Sequence, residues 1–508
     1  MNTKIASLLI VILGAVSSHA AYKDLIGFPE LENAIGAGTL TGAGIEVQII
    51  EATPSGGSNY YPGNSGSDPE FSGKTITNVT DDAGVTQGST GTSSHAKRVA
   101  KNLYGNDTSI APGISTIGSW EASHWMGWDG GTETASGFLN VNTTTEPDTT
   151  DARIANHSYI GGTSSDQLPR RTDYIVERDD FLQIVGIQNA GQSNIYPLWG
   201  TAFNVISVGR TNGGHFAGTL EIPSTSYTAD RTAPHLVAPD TATSYATPIV
   251  SATTALLLQA GGANASWSNG NQITNRTRTI YHAETSEVIK ATLMAGADRA
   301  VDNAHGDDLL ASEYVVDTDN NLDLTYGAGQ VNVFNSYNIL AGGEQDPGGA
   351  DITDHGWDYN GSFSNGDTAV YAFNAANSGD TLMATLAWNI EITDLYSNPL
   401  DPQWWPDDNG ILDFNLLLVD VTGGHGTPDA VLSAASSQSS TENTENVFFE
   451  NELIAGNRYE LHVTENESQN FTWDYGLAWR VESVPEPSSA VIAIIGLVGF
   501  LGVRRWRV

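Results

Sequence analysis

The 508-residue sequence predicts a three-layer α/β domain with a parallel sheet, followed by an all-β antiparallel sandwich. Up to about residue 345, apolar strand-like runs such as residues 45–50 alternate with Ala-rich helical runs such as residues 286–297, which is typical of βα units. The Gly- and Pro-rich residues 341–349 then indicate a linker. After them, hydrophobic residues recur with period two, as in residues 369–373, and this pattern favours antiparallel strands.

The composition narrows the range of functions. The chain carries 59 acidic and 21 basic residues, a net charge of -38, which argues against a nucleic-acid partner. It has no cysteine, so disulfides and thiolate zinc sites are excluded and packing must stabilise the fold. No motif requires a cofactor, and calcium is the one candidate ligand.

The first 20 residues resemble a secretory signal peptide. Lys4 precedes an apolar core at residues 5–16, and small residues lie before Ala21, where a signal peptidase would cut. We therefore expect an exported protein. Its first folded domain is predicted to cover residues 21–345 and its second residues 346–483.

Two polar residues in the first half of the chain are candidates for chemistry. Glu51 ends the apolar run at residues 45–50, at the carboxyl end of a predicted strand, where open α/β sheets place their active groups. His95 lies at the start of a predicted helix, with Ser94 as the expected cap. A base and an orienting acid are what a serine nucleophile needs. The alternatives are a solvated strand-end carboxylate and a capped surface histidine.

Asn189 and Ser244 are the next two candidates. Asn189 follows a buried-type strand at residues 181–188, where its amide could donate to an oxyanion or simply form a turn. Ser244 lies in the small-residue segment 242–247, and we expect a helix to start at Pro248 behind it. The positive end of that helix would favour negative charge during acyl transfer. A capped buried helix without chemistry is the alternative.

Five segments resemble motifs of the subtilisin-like serine proteases and occur in that family's order. The similarity covers about residues 40 to 340. It implies a three-layer subtilisin-like catalytic domain and a protein or peptide substrate. The matching segments are HAKRVA at 95–100, SIAPG at 109–113, ARIANHSYIGG at 152–162, VGIQNAG at 185–191 and TSYATP at 243–248.

The resemblance also assigns roles to individual residues. Glu51, His95 and Ser244 would form the catalytic triad, in which His95 deprotonates Ser244 and Glu51 fixes the histidine. Asn189 and the backbone N–H of Ser244 would stabilise the oxyanion. The substrate would bind as an added strand along residues 156–161. The predicted substrate-binding residues of this segment are Asn156, Ser158, Tyr159 and Gly161.

Three departures from the family pattern bear on activity. Glu51 stands where aspartate is usual, as in divergent subtilases with a VEA-type first motif. Ala242 stands for the glycine before the serine box, and Ala96 and Arg98 stand where glycine and histidine are usual. We expect these larger side chains to crowd the site. The alternative function is therefore a catalytically inactive, subtilase-like envelope or matrix binding protein, and a glycan-binding sandwich is a third.

The C-terminal residues 484–508 resemble the PEP-CTERM sorting signal of Gram-negative bacteria. Pro485-Glu486-Pro487 precedes an uncharged run at residues 490–503 and then an arginine cluster at residues 504–507. We expect the run to form a short transmembrane helix, with the arginines on the cytoplasmic side of the inner membrane. An exosortase-type enzyme would then release the protein to the cell surface or the medium. A permanent anchor is the alternative.

One acidic segment is a weak candidate for calcium. Oxygen-bearing side chains recur at alternate positions, as in the first half of a calcium loop. The segment lacks the glycine at the sixth position and the glutamate at the twelfth, so a plain acidic turn is the alternative. The four residues are Asp317, Asp319, Asn321 and Asp323.

Overall fold

A computed structural model of the protein gives its architecture. It describes residues 18–53, 59–79, 91–127, 137–141, 145–161, 167–191, 198–219, 231–273, 278–301, 309, 313–392, 412–422, 430–465 and 472–483. The predicted signal core and the predicted sorting signal at residues 484–508 lie outside these ranges. None of the helices within them is long and apolar enough to cross a membrane.

The first part of the chain alternates strands and helices. Its helices are α1 (Ser18–Leu25), α2 (Phe28–Ile35), α3 (Ser94–Tyr104), α4 (Ala122–Met126), α5 (Gln167–Asp179), α6 (Thr243–Ala263), α7 (Ser286–Ala295) and α8 (Val333–Ala341). Its strands are β1 (Val47–Glu51), β2 (Thr75–Asn78), β3 (Thr116–Glu121), β4 (Ile154–His157), β5 (Leu182–Gly186), β6 (Ile206–Arg210), β7 (Gly218–Thr219), β8 (Thr232–Ala233), β9 (Leu236–Ala238), β10 (Asn271–Ile273) and β11 (Thr279–Tyr281). Single 3₁₀ turns cover Pro69–Phe71, Leu198–Thr201, Ala265–Trp267 and His282–Glu284.

Seven of these strands form one parallel sheet in the order β2-β3-β1-β4-β5-β6-β9. Side chains alternate between its faces, because a strand turns successive residues to opposite sides. In β1, Ile49 packs in the core that contains α3 and α6, and Ile50 packs in the core that contains α4 and α5. Helices therefore cover both faces, and the predicted three-layer α/β class is confirmed.

The order of the strands reverses between β1 and β4. From β1 the chain continues on one side to β2 and β3, and on the other side to β4, β5, β6 and β9. Open parallel sheets bind their ligands at such a point, outside the carboxyl ends of the strands. Glu51 is the last residue of β1, so it lies at this point of the sheet.

The second part of the chain is the predicted antiparallel sandwich. Its two four-stranded sheets have the orders β12-β19-β14-β17 and β13-β18-β15-β16. The predicted boundary at residue 345 falls between α8 and the first of these strands. The strands are β12 (His355–Ser364), β13 (Ala369–Asn374), β14 (Thr381–Ala387), β15 (Phe414–Asp420), β16 (Ala430–Ser437), β17 (Thr444–Phe449), β18 (Arg458–Glu465) and β19 (Thr472–Glu482).

Helix α7 joins the two parts. All ten of its residues are buried, because the sheet with β14 and β19 covers the face that the α/β core leaves open. Gly476 of β19 permits this contact, since a Cβ atom there would lie 2.6 Å from the backbone of Glu287. Arg480 of β19 donates to the carbonyl oxygens of Ala295 (2.8 Å) and Ala297 (2.9 Å), where a helix end needs donors. The core of the α/β part therefore includes Trp357, Ala387 and Ala478 of the sandwich, which otherwise has a core of its own.

A buried carboxyl group lies close to this junction. Asp358 of β12 is 1% exposed, and its Oδ2 accepts a hydrogen bond of 2.6 Å from the hydroxyl of Tyr371. The carboxylates of Glu344 and Asp346 lie within 4.8 Å of it. Burial and these two carboxylates raise the pKa of Asp358 to about 7, although Tyr371 and His282 oppose the shift.

We expect Asp358 to make the stability depend on pH. Between about pH 4 and pH 7 the unfolded chain loses this proton while the folded protein keeps it, so the free energy of unfolding falls as pH rises, by about 1.4 kcal/mol per pH unit from this group. Asp358→Asn should remove that slope, as measured by denaturant unfolding across this range. Asp354→Asn, an exposed residue before the same strand, is the control. An unchanged slope in Asp358→Asn would contradict the assignment.

Candidate active site

Glu51 is a buried carboxylate at the centre of the parallel sheet. It ends β1, which pairs with β3 on one side and β4 on the other, and its side chain is 2% exposed. Burial raises the pKa of Glu51, and the hydrogen bond and charge of His95 oppose that shift. A carboxylate in this position is retained only with a partner, because an isolated buried charge is costly.

His95 is that partner. Its Nδ1 lies 2.7 Å from Oε2 of Glu51, while its side chain remains 38% exposed. Burial lowers the pKa of His95, but the hydrogen bond and the charge of Glu51 outweigh burial and raise it. The contact assigns the Nδ1 proton to the Glu51 side and leaves Nε2 for another group. The extra methylene of glutamate is therefore accommodated.

Helix α3 presents His95 through its first turn. The N-cap is Ser93, whose hydroxyl accepts from the backbone N–H of Ala96 at 3.2 Å. The expected cap, Ser94, is instead the first helical residue and is exposed. The difference follows from backbone geometry, since a cap residue needs an extended backbone and Ser93 has it.

Ser244 is the second residue of helix α6 and is half-buried. The helix starts at Thr243, so the prediction of a start at Pro248 was wrong by five residues. Pro248 lies inside the helix, where its missing N–H leaves the carbonyl of Ser244 without a helical donor. Ala242 precedes the helix with φ of -152° and ψ of 151°, an extended conformation that any residue adopts, so alanine fits here without strain.

Asn189 caps this helix from another part of the chain. Its Oδ1 accepts from the backbone N–H of Thr243 at 3.0 Å, which supplies the cap that Ala242 lacks. Gly186 at the end of β5 allows the approach, since a Cβ there would lie 2.6 Å from Oγ1 of Thr247. With its oxygen engaged, the amide of Asn189 keeps its N–H donors for another acceptor.

The four predicted residues lie in two places that α3 and α6 join. His95 bonds Glu51, and Asn189 bonds the residue before Ser244. Helix α3 packs against α6, and Nδ2 of Asn102 donates to the carbonyl of Tyr245 at 2.9 Å, so His95 faces the start of α6. The imidazole of His95 lies 5.4 Å from the ring of Tyr245, the neighbour of Ser244. In the described ranges the hydroxyl of Ser244 makes no hydrogen bond, and this includes none to His95.

The predicted substrate segment divides at the end of β4. Asn156 lies inside the sheet, paired with Ile49 and Ile184, and its side chain bonds Ser158 and Ser251 at 2.9 Å each. The strand pairing of β4 stops at His157, so the segment from Ser158 to Gly161 lies beyond the ladder. Within that segment the hydroxyl of Tyr159 accepts from Nε1 of Trp199 at 2.9 Å.

The departures at residues 96 and 98 have different places in the structure. Ala96 is fully buried on the inner face of α3. Arg98 lies beside the site, with its guanidinium over the ring of Tyr245 at 3.7 Å and a hydrogen bond of 2.7 Å to Oδ1 of Asp240. Sequence reasoning missed Asp240 and Tyr245 as parts of the site. The signal was available, because Arg98 breaks the family pattern within one helical turn of His95.

The candidate calcium segment is held by its own hydrogen bonds. Asp317 accepts from the N–H of Leu324, and Asp323 accepts from three backbone N–H groups of the same loop. Asn321 donates instead to carbonyls of the sandwich, those of residues 436 and 446, and Asp319 is exposed. Calcium binding by this segment stays a prediction.

Replacing Glu51 should change the titration of His95. In Glu51→Gln the hydrogen bond to a charged carboxylate is lost, while burial and Arg98 still act on the ring, so the pKa of His95 should fall by about one unit or more. The measurement is an NMR titration of the imidazole protons, assigned with His95→Gln. Glu46→Gln, which removes a carboxylate just before β1, is the matched control. An unchanged pKa in Glu51→Gln would contradict the described contact.

Comparison with known proteins gives the context of this site. No protein-family model and no curated protein sequence matches the chain. It is similar to a solved serine protease of Aeromonas sobria, with 12% identity over 87% of this chain and 88% of that one and a TM-score of 0.38. It is also similar to a cold adapted subtilisin-like serine proteinase, with 18% identity over 44% of this chain and 78% of that one and a TM-score of 0.29. A third similar structure is that of proteases from Pseudoalteromonas arctica, with 13% identity over 59% of this chain and 91% of that one and a TM-score of 0.33.

Proposed function

We propose that the protein is an exported serine endopeptidase with Ser244 as nucleophile, His95 as general base and Glu51 as the acid that orients His95. The observation that carries this proposal is the 2.7 Å contact between the buried Glu51 and the half-exposed His95, facing the first turn of α6. A nucleophile, a base and a group that orients the base are the recurring parts of covalent acyl transfer.

The reaction would proceed in two halves. Nε2 of His95 removes the proton of Ser244 as its Oγ attacks the carbonyl carbon of a peptide bond, and the same proton passes to the leaving amine. Water then attacks the acyl-enzyme while His95 accepts its proton, and His95 returns that proton to Oγ of Ser244 as the acyl–oxygen bond breaks and the carboxylic acid product leaves. Glu51 stabilises the imidazolium in both halves, because a buried carboxylate interacts strongly with a nearby positive charge. No cofactor takes part in these steps.

The oxyanion would form between Asn189 and the start of α6. The oxygen of Asn189 is engaged by Thr243, so its N–H donors are the groups left to bind the oxyanion. The backbone N–H of Ser244 is among the first four of α6, which have no acceptor inside the helix. The positive end of the helix adds to their effect.

A protein or peptide substrate would pair with the chain beyond β4. The segment from Ser158 to Gly161 follows β4 directly after its last paired residue, His157, and makes no strand pairing with β1 or β5. An extended peptide can add its backbone hydrogen bonds to such a segment. Its scissile carbonyl would then lie near Ser244 and Asn189.

One observation favours the alternative of a binding protein without catalysis. The hydroxyl of Ser244 has no hydrogen bond to His95 in the described part of the chain. Such contacts are commonly long without substrate and tighten when it binds, so catalysis remains the function that the geometry supports best. A covalent probe separates the two functions directly.

Ser244→Ala should abolish both labelling by a fluorophosphonate probe and hydrolysis of a denatured protein substrate. Loss of an activated nucleophile should reduce turnover by about 10⁴-fold or more. Ser94→Ala, which removes an exposed hydroxyl next to His95, is the matched control and should leave both unchanged. Labelling that persists in Ser244→Ala would identify another serine as the nucleophile. An unlabelled wild-type protein would favour the binding function.

We further propose that the protein is anchored in the inner membrane through residues 490–503 and then released by an exosortase-type enzyme. An uncharged run of this length is short for a permanent anchor, and the arginines after it hold its end on the cytoplasmic side. The exported protein should end near Pro487, as measured by mass spectrometry of material from the cell surface or medium. Recovery of the terminus Trp506-Arg507-Val508 would indicate a permanent anchor instead.

A further inference from the structure

Tyr245 contacts two groups that stand one turn apart on α3. The ring centroid of Tyr245 lies 5.4 Å from that of His95, with the planes tilted by 39°, and 3.7 Å from Cζ of Arg98. Residues three apart on a helix lie on the same face, so His95 and Arg98 approach one aromatic ring together. The attraction between a guanidinium and a ring face stabilises this arrangement.

The partners of Arg98 hold it in place. Its Nη2 donates to Oδ1 of Asp240 at 2.7 Å and to Oγ1 of Thr241 at 3.0 Å, although the side chain is 42% exposed. Asn102, one turn further along α3, donates to Oδ2 of the same aspartate at 3.1 Å and to the carbonyl of Tyr245 at 2.9 Å. The segment before Ser244 is thereby fastened to the helix that carries His95.

These contacts place His95 between opposite charges. Glu51 of β1 is hydrogen-bonded to Nδ1 of the imidazole, and Arg98 of α3 adds a positive charge near the ring. Tyr245 of α6 packs its ring against the imidazole. Glu51 favours the protonated imidazole and Arg98 disfavours it. A general base must be unprotonated at the working pH, so a positive charge beside the imidazole favours the form that accepts the proton of Ser244.

We propose that Tyr245 and Arg98 position and tune His95, with the Tyr245 ring holding the imidazole against Glu51 and the Arg98 guanidinium, packed on the same ring, supplying a positive charge beside it. This inference rests on the proposed peptidase function for its kinetic consequence. Its effect on His95 itself is independent of that function. Neither residue touches the substrate in this scheme, so both are positioning residues.

The first test is an NMR titration of His95 in the Ser244→Ala background, which requires no activity. Arg98→Gln should raise the pKa of His95 by about half a unit, because the neutral side chain no longer opposes protonation and leaves Asp240 without its positive partner. Arg98→Lys keeps the charge and should leave the pKa close to its original value. Lys97→Gln, which removes the neighbouring charge of α3, is the matched control. Equal pKa values in all four proteins would overturn the tuning role of Arg98.

The second test is the pH dependence of kcat/KM. Arg98→Gln should move the acidic limb of the kcat/KM profile to higher pH by the same half unit. At pH values above that limb, kcat/KM should return to the wild-type value. Tyr245→Leu should lower kcat about tenfold with little change in KM, because a misplaced base acts in the transition state. Tyr245→Phe keeps the ring and should behave like the wild type. If Arg98→Gln loses activity at all pH values without a shift of the acidic limb, Arg98 is only a structural link between α3 and α6. If Tyr245→Leu and Tyr245→Phe have equal kcat, the same holds for Tyr245.

Discussion

Helix α6 has to approach the sheet closely, and the geometry of the candidate site depends on that approach. The helix is buried along most of its length against β4, β5 and β6. Gly186 at the end of β5 has no side chain, and Thr247 occupies the space that a Cβ would need. A larger residue at this position would push the first turns of α6 outward, because tightly packed cores adapt poorly to added atoms. Ser244 and Tyr245 would move with it.

Buried polar groups then specify the position of the helix along the sheet. The amide of Asn156 accepts from Ser251 in the middle of α6 and donates to Ser158 just beyond β4, each at 2.9 Å. The amide of Asn189 accepts from the first residue of α6. Asn156 is fully buried and must keep its partners, since an unpaired buried polar group is costly, while Asn189 is only partly buried. The start of the helix is thus fixed both across the sheet and along it.

Local patterns in the sequence predict the layers but not the long-range contacts. Inner strands of the parallel sheet such as β1 and β5 are buried on both faces, so they read as mostly apolar runs, and Glu51 could be placed at the end of one of them. The start of α6 could not be placed, because Pro248 is typical of a first helical residue and the real cap, Asn189, lies 54 residues away. Arg98 departs from the family pattern and so marks its own position, but its partner Asp240 lies 142 residues away and could not be named from the sequence. The contact of Arg480 with the end of α7 could not be predicted from the sequence either, because its partners Ala295 and Ala297 lie 185 and 183 residues away.

The order of the strands in the sandwich bears on how the protein is made. β19 is the last described strand in the chain, yet it lies in the interior of its sheet, between β12 and β14, and it supplies Gly476 and Arg480 to α7. While the ribosome still holds residues 472–483, β12 and β14 have no common neighbour, and one face of α7 is open to water. The α/β domain therefore cannot complete its own core until residues 472–483 are free to fold.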